Sequence, residues 1–249
     1  MFKRIAQTAG FAGLLAALVL TLLQSLWVTP LIIQAEGYEN SAPQSEHEHV
    51  ASAPLAHEHA PDSAQHSHAP AVAAEHQHDS QAWSPQDGWQ RSLATGLSNL
   101  VVAVGFALML AGLFTLRAPQ HTWQGLFWGL AGFATFSLAP SLGLPPELPG
   151  TAAAELGLRQ SWWIATASAT AVGLSLLAFG KHWSLRSGGL LLLVIPHLFG
   201  APHPEVHASL APAAMGEAFI RASLLTNALF WAALGLAAAW LFRRASVPV

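Results

Sequence analysis

The stretch SLATGLSNLVVAVGFALMLAGLFTL, residues 92–116, decides the fold. It contains no charged side chain and one amide, Asn99, over a length that exceeds the roughly 20 residues a helix needs to cross a hydrocarbon core. A helix without a charged face is a helix made for lipid or for the interior of a bundle.

Similar runs lie on either side of it. Residues 5–28, 123–142, 161–180 and 219–242 are long and apolar, with Arg221 at the edge of the last. A sixth run, 187–200, contains the unbroken LLLLVI of residues 190–195 but stops at Pro196 and His197. The chain of 249 residues is 53% hydrophobic and only 9% charged, against about 25% charged in soluble domains. The expected fold class is therefore all-α, a polytopic transmembrane helix bundle.

Charge selects among topologies, because loops left in the cytoplasm are enriched in Lys and Arg. With six spans and the N-terminus inside, the inner segments hold Lys3, Arg4, Arg117, Lys181, Arg186, Arg243 and Arg244, leaving Arg91, Arg159 and Arg221 outside. Five spans would put Arg243 and Arg244 outside, so six are favoured over five. The same arrangement puts every Asp and Glu on the outer side, in the segments 36–91, 144–160 and 201–217. Residues 1–35 then form the first transmembrane helix, 36–91 an outer loop, and 92–249 the remaining bundle. The first apolar run is too long for the 7 to 15 residue core of a cleaved signal peptide, and no clear A-x-A site follows it.

Two local patterns agree with these spans. Trp27, Trp89, Trp123, Trp162, Trp163, Trp183 and Trp240 lie near span ends, where amphipathic rings meet headgroups. Small residues recur at fourfold spacing in Ala103, Ala107 and Ala111, in Gly125 and Gly129, and in Ala165, Ala169 and Gly173, a spacing that lets helix backbones approach closely. Gln24, Asn99 and Asn227 are costly against lipid, so hydrogen bonds between helices are expected of them.

The outer loop breaks with the rest. It is rich in Ala, Pro, His, Ser and acids, with too little apolar content to fold alone, and a disordered segment is expected. Within it the pair HxH occurs four times, as His47 and His49, His57 and His59, His66 and His68, and His76 and His78. Two imidazoles one residue apart point the same way along an extended chain, and neutral imidazole is a common ligand of zinc, copper, nickel and cobalt. Glu46, Glu48, Glu58, Glu75 and Asp79 lie beside the pairs, where carboxylates complete a divalent site. A solvated low-complexity linker is the plainer reading, but four repeats among acids favour metal binding. Nitrogen and oxygen donors follow the general order of divalent affinities, so the loop indicates a transition metal without selecting one.

A second candidate site is the segment 197–207, where His197, His203, Glu205 and His207 follow the Pro-interrupted end of the short span. Transporter sites often form where a broken helix meets the bundle. A solvated surface turn is the alternative. Glu147, Glu155 and Glu217 are expected to be anchoring or solvated charges.

Other chemistries find little support. There is no cysteine, so neither disulfides nor thiolate ligands occur. Gly180-Lys181 is not part of a phosphate-cradling GxxxxGK[ST] loop, so no nucleotide is expected, and no catalytic or cofactor-binding residues are assigned. No Ser-His-Asp order or HExxH helix appears, and an enzyme is not expected. No nucleic-acid partner is expected either.

Longer stretches carry a resemblance. Phe2, Lys3 and Arg4, then Gln24, the run WVTPLI of residues 27–32, and Glu36, Gly37, Tyr38 and Glu39 open the chain. APSLGLPPELPG of residues 139–150, RQSWW of 159–163, and Pro196, His197, Gly200, Pro202, His203, Pro204 and Glu205 follow. Together they resemble CbtA, the predicted cobalt transporter subunit, over nearly the whole chain. The resemblance implies Co2+ as the transported ion, with Ni2+ or Zn2+ as alternatives. It also implies a small single-span subunit with a His-rich tail, CbtB, as partner. The family is commonly described with five spans, where the charge bias here argues for six.

These readings converge on a bacterial inner-membrane protein with a cytoplasmic N-terminus, embedded in membrane lipid. It is expected to collect Co2+ on the outer loop and pass it to a path near His197, His203 and Glu205. The alternative is a membrane-anchored metal-binding scaffold or sensor that moves no ions.

Overall fold

The computed structural model describes residues 2–41, 85–86 and 88–245, and these are helical apart from short connections. Six helices follow one another: α1 (Phe2–Ser41), α2 (Trp89–Leu116), α3 (residues 124–141), α4 (Leu156–Phe179), α5 (Trp183–Phe199) and α6 (Ala213–Arg244). Among the described residues four of them, α1, α2, α4 and α6, are long and apolar enough to cross a membrane. The α5 helix has 17 residues, and α3 is interrupted by a π-turn. Large apolar side chains face outward on α1 (Leu14, Leu18, Leu22) and on α5 (Leu190, Leu191, Leu198). That is an arrangement for hydrocarbon rather than water.

The helices run alternately between two ends. Arg4, at the start of α1, donates from Nε and Nη2 to the carbonyl of Phe242 near the end of α6, at 3.0 and 2.7 Å. The first and last helices are therefore antiparallel, and the start of α1 and the end of α6 lie at one end of the bundle. An even number of passes satisfies this and five passes do not. Arg117, Lys181, Arg186, Arg243 and Arg244 share that basic end with Lys3 and Arg4. Every described acid, from Glu36 to Glu217, belongs to the opposite end.

Alanine and glycine seams bring the helices together. Ala9, Ala12, Ala16 and Leu20 of α1 meet Ala103, Ala107, Leu110 and Phe114 of α2, and Phe230, Trp231 and Leu234 of α6 close the core. Gly13 lies on the backbone of Val104, where an added Cβ would come within 2.8 Å of its Cα. Gly125 and Gly129 of α3 fit against Gly235 and the Trp231 carbonyl of α6, with no room for any side chain. The third expected seam is rotated. Ala165 is exposed, and Thr166, Thr170 and Gly173 form the packed face of α4, with Gly173 against Gly189 of α5.

Two π-turns widen the bundle locally, Gln24–Val28 in α1 and Ala134–Leu138 in α3. Each is followed two residues later by a proline, Pro30 and Pro140. A proline inside a helix clashes with the carbonyl four residues before it and supplies no donor to it. Those carbonyls belong to Leu26 and Phe136, both inside the π-turns, where the wider turn relieves the clash.

At 40 residues α1 is about 60 Å long, twice the hydrocarbon thickness. Its helical backbone continues through Glu36 to Ser41, and α2 starts at Trp89, so both ends of the 36–91 segment are helical. A second apolar cluster covers this upper part, with Val28, Ala35, Leu148, Ala211 and Phe219 buried together.

Candidate functional site

The acidic end is built from helix ends and two connections. The guanidinium of Arg91, in the first turn of α2, grips the Glu36 carboxylate of α1 with both nitrogens, Nη1 lying 2.9 Å from Oε2. This bidentate pair joins the two helices from which the His-rich segment departs. Glu147 accepts from Arg159 at 2.8 Å, tying the Pro-rich turn after α3 to the start of α4. Glu155 caps α4 by accepting from the Gly157 and Leu158 amides, a favourable place for a carboxylate at a helix N-terminus. The 150–152 and 208–210 segments clasp each other through the Ala152 amide on the Ala208 carbonyl and the Leu210 amide on the Gly150 carbonyl. Glu217 and Arg221 form an exposed pair one turn apart, 3.3 Å from each other.

The candidate ligands of segment 197–207 lie at this end. Pro196 is inside the last turn of α5, and Gly200, at φ 78°, lets the chain leave the helix in a conformation closed to other residues. His197 is half-buried with its ring against Trp162, the centroids 6.0 Å apart. His203 and His207 are exposed, their centroids 6.1 Å apart, and Glu205 between them is exposed too. Among the described residues no three His, Asp or Glu side chains come close enough to hold a metal ion. The structure thus brings His203 to His207 and sets His197 against an indole instead. The expected metal ligands of the outer loop, His47, His49, His57, His59, His66, His68, His76 and His78, all lie outside the described residues.

Polar groups within the bundle separate into two kinds. Asn99, buried on α2, donates from Nδ2 to Thr21 Oγ1 at 3.0 Å and to Gln24 Oε1 at 2.7 Å, at the start of the first π-turn. This is the expected bond between helices. Asn227 instead donates to the Ser223 carbonyl on its own helix, at 2.9 Å. It satisfies its amide without a neighbour.

Towards the basic end the α4–α5 hairpin stands away from the other helices, and a cavity of about 640 Å3 opens between them. Leu113, Trp128, Leu174 and Phe179 line it, and Arg117 stacks 4.5 Å over the Phe179 ring at its mouth. No His, Asp or Glu lines this cavity, so nothing in it would hold a divalent cation.

Sequence reasoning missed the Arg91–Glu36 pair and the Trp162–His197 contact. A signal for the first was present, since an acid and an arginine stood at the two ends of one loop. None existed for the second, which depends on how α4 and α5 are rotated about their axes.

No curated protein and no solved structure gives a match. A family model described as "Probable cobalt transporter subunit (CbtA)" matches residues 2–243. With a family match over almost its whole length and a helical membrane architecture, the chain belongs to the CbtA family of probable cobalt transporter subunits.

Proposed function

We propose that the protein is the membrane-embedded subunit that admits Co2+ from the outer face, taking the ion first on its HxH loop and then at the acidic end of the bundle. The observation that carries this reading is the segregation of charge. The His-rich segment leaves α1 and enters α2 at the end that holds His197, His203, Glu205 and all the described acids, where the three arginines present, Arg91, Arg159 and Arg221, are each paired with a glutamate, while the other seven basic residues lie at the opposite end. A divalent cation is attracted to the first end and repelled from the second. By the positive-inside rule the basic end is cytoplasmic, which makes the acidic end periplasmic in a bacterial inner membrane.

Weak HxH sites suit a collecting role, since they exchange ligands as readily as they bind. His203, His207 and Glu205 are exposed and free to receive an ion from the loop, and Ni2+ or Zn2+ would compete on the same donors. The family description as a subunit supports a partner, and we assign that place to the small single-span CbtB protein with its His-rich tail.

The test is uptake of radiolabelled cobalt by cells lacking their own cobalt importers, expressing the chain with and without the small subunit. Accumulation abolished by His197→Ala with His203→Ala supports the path. Absence of accumulation with the partner present, alongside metal binding by the purified chain, would leave a scaffold or sensor.

A further inference from the structure

At the basic end, on the lipid-facing side, a groove of about 710 Å3 runs between α1 and α6. Leu14 and Leu18 of α1 form one wall, Ala233 and Ala237 of α6 the floor, and Trp240 and Thr122 the upper rim. The two alanines open it, because a longer side chain at either would fill the space between the walls. Its lining is almost wholly apolar up to that rim.

Two arginines touch the rim. Arg243 donates from Nη1 to Thr122 Oγ1 at 3.1 Å, and the Arg244 guanidinium carbon lies 4.1 Å over the Trp240 ring. Both are exposed, and neither has a carboxylate partner among the described residues. The neighbouring Arg4 is engaged by the Phe242 carbonyl and ring. No described acid lies at this end. Two fixed guanidiniums without counter-charge, mounted above an apolar channel and level with an interfacial indole, match one kind of ligand.

We infer that this groove is a binding site for an anionic diacyl phospholipid, with one acyl chain along Leu14, Leu18, Ala233 and Ala237 and the phosphate between Arg243 and Arg244. Guanidinium groups bind phosphate through paired donors, and basic pockets between membrane helices take anionic headgroups on the cytoplasmic side. A zwitterionic boundary lipid would fill the apolar channel, but its phosphate is already neutralised by its own headgroup cation, which leaves the net charge of the two arginines uncompensated. The lipid would bridge α1, α6 and the connection before α3.

The full-length protein, purified in detergent, is examined by native mass spectrometry with phosphatidylglycerol or phosphatidylcholine of identical chains. Phosphatidylglycerol is expected to stay bound when phosphatidylcholine is stripped, and Arg243→Gln with Arg244→Gln to weaken its retention roughly thirtyfold, at about one favourable contribution per basic residue. Ala233→Leu, which leaves the charge unchanged and fills the channel, is expected to weaken retention of the same lipid, and it decides the matter if the arginine variant does not fold. Equal retention of the two lipids, or retention of phosphatidylglycerol undiminished by Ala233→Leu, overturns the site. Crosslinking of the small subunit's helix into the groove in place of lipid overturns it as well.

Discussion

Asn99 of α2 and Gln24 of α1 are joined by a 2.7 Å hydrogen bond between their side-chain amides, with Thr21 sharing the same donor. Asn99 is buried, so its amide has no water to fall back on, and the bond pins α2 to α1 where α1 widens into its π-turn. Asn99→Leu removes the donor and strands two oxygens. It is expected to lower stability by about 1 to 2 kcal/mol, while Gln24→Leu, which leaves Asn99 its bond to Thr21, costs less. Thermal unfolding of the purified variants checks the order, and equal losses would contradict it.

The seam between α3 and α6 admits no side chain. Gly129→Val would drive a branched side chain into the Trp231 carbonyl and is expected to cost more than the roughly 1 to 3 kcal/mol usual for overpacking, because the obstacle is backbone. Gly105→Ala meets nothing nearby and is expected to be neutral. The yield of monodisperse protein from each variant separates the two cases.

The Arg91–Glu36 pair closes the base of the His-rich segment. Both side chains are about 30% exposed, so solvent screens the pair and its coupling is expected near the upper limit for such pairs, about 1 kcal/mol. A double-mutant cycle with Glu36→Gln and Arg91→Gln measures it, and a coupling indistinguishable from zero would remove the pair as a closure.

The chain has no cysteine, so single introduced cysteines report topology without background. Ser187→Cys and Gln120→Cys belong to the basic end, and Ala208→Cys to the acidic end. In whole cells an impermeant thiol reagent is expected to label Ala208→Cys alone. Labelling of Gln120→Cys from the outside would reverse the proposed orientation.

Deleting residues 44–80 removes all the HxH pairs. If the loop collects metal, cobalt uptake falls mainly at low external concentration and recovers as the ion is supplied in excess. Unchanged uptake at limiting cobalt would show that the loop does not feed the path.

The sequence alone determined the membrane environment, the position of each apolar run, the separation of basic from acidic segments and the His-rich composition of the loop. All four follow from hydropathy, charge and composition, which are local properties that a one-dimensional reading captures. Ala103, Ala107 and Ala111 were legible as a seam because their spacing is helical and all three are buried. Tertiary structure alone decided that Arg4 meets Phe242, 238 positions away, that α4 turns Thr166 inward rather than Ala165, that Trp162 covers His197, and that a groove opens beneath Arg243 and Arg244. Each depends on the rotation of one apolar helix against another, and in helices that are apolar on every side no polar face marks which side turns inward.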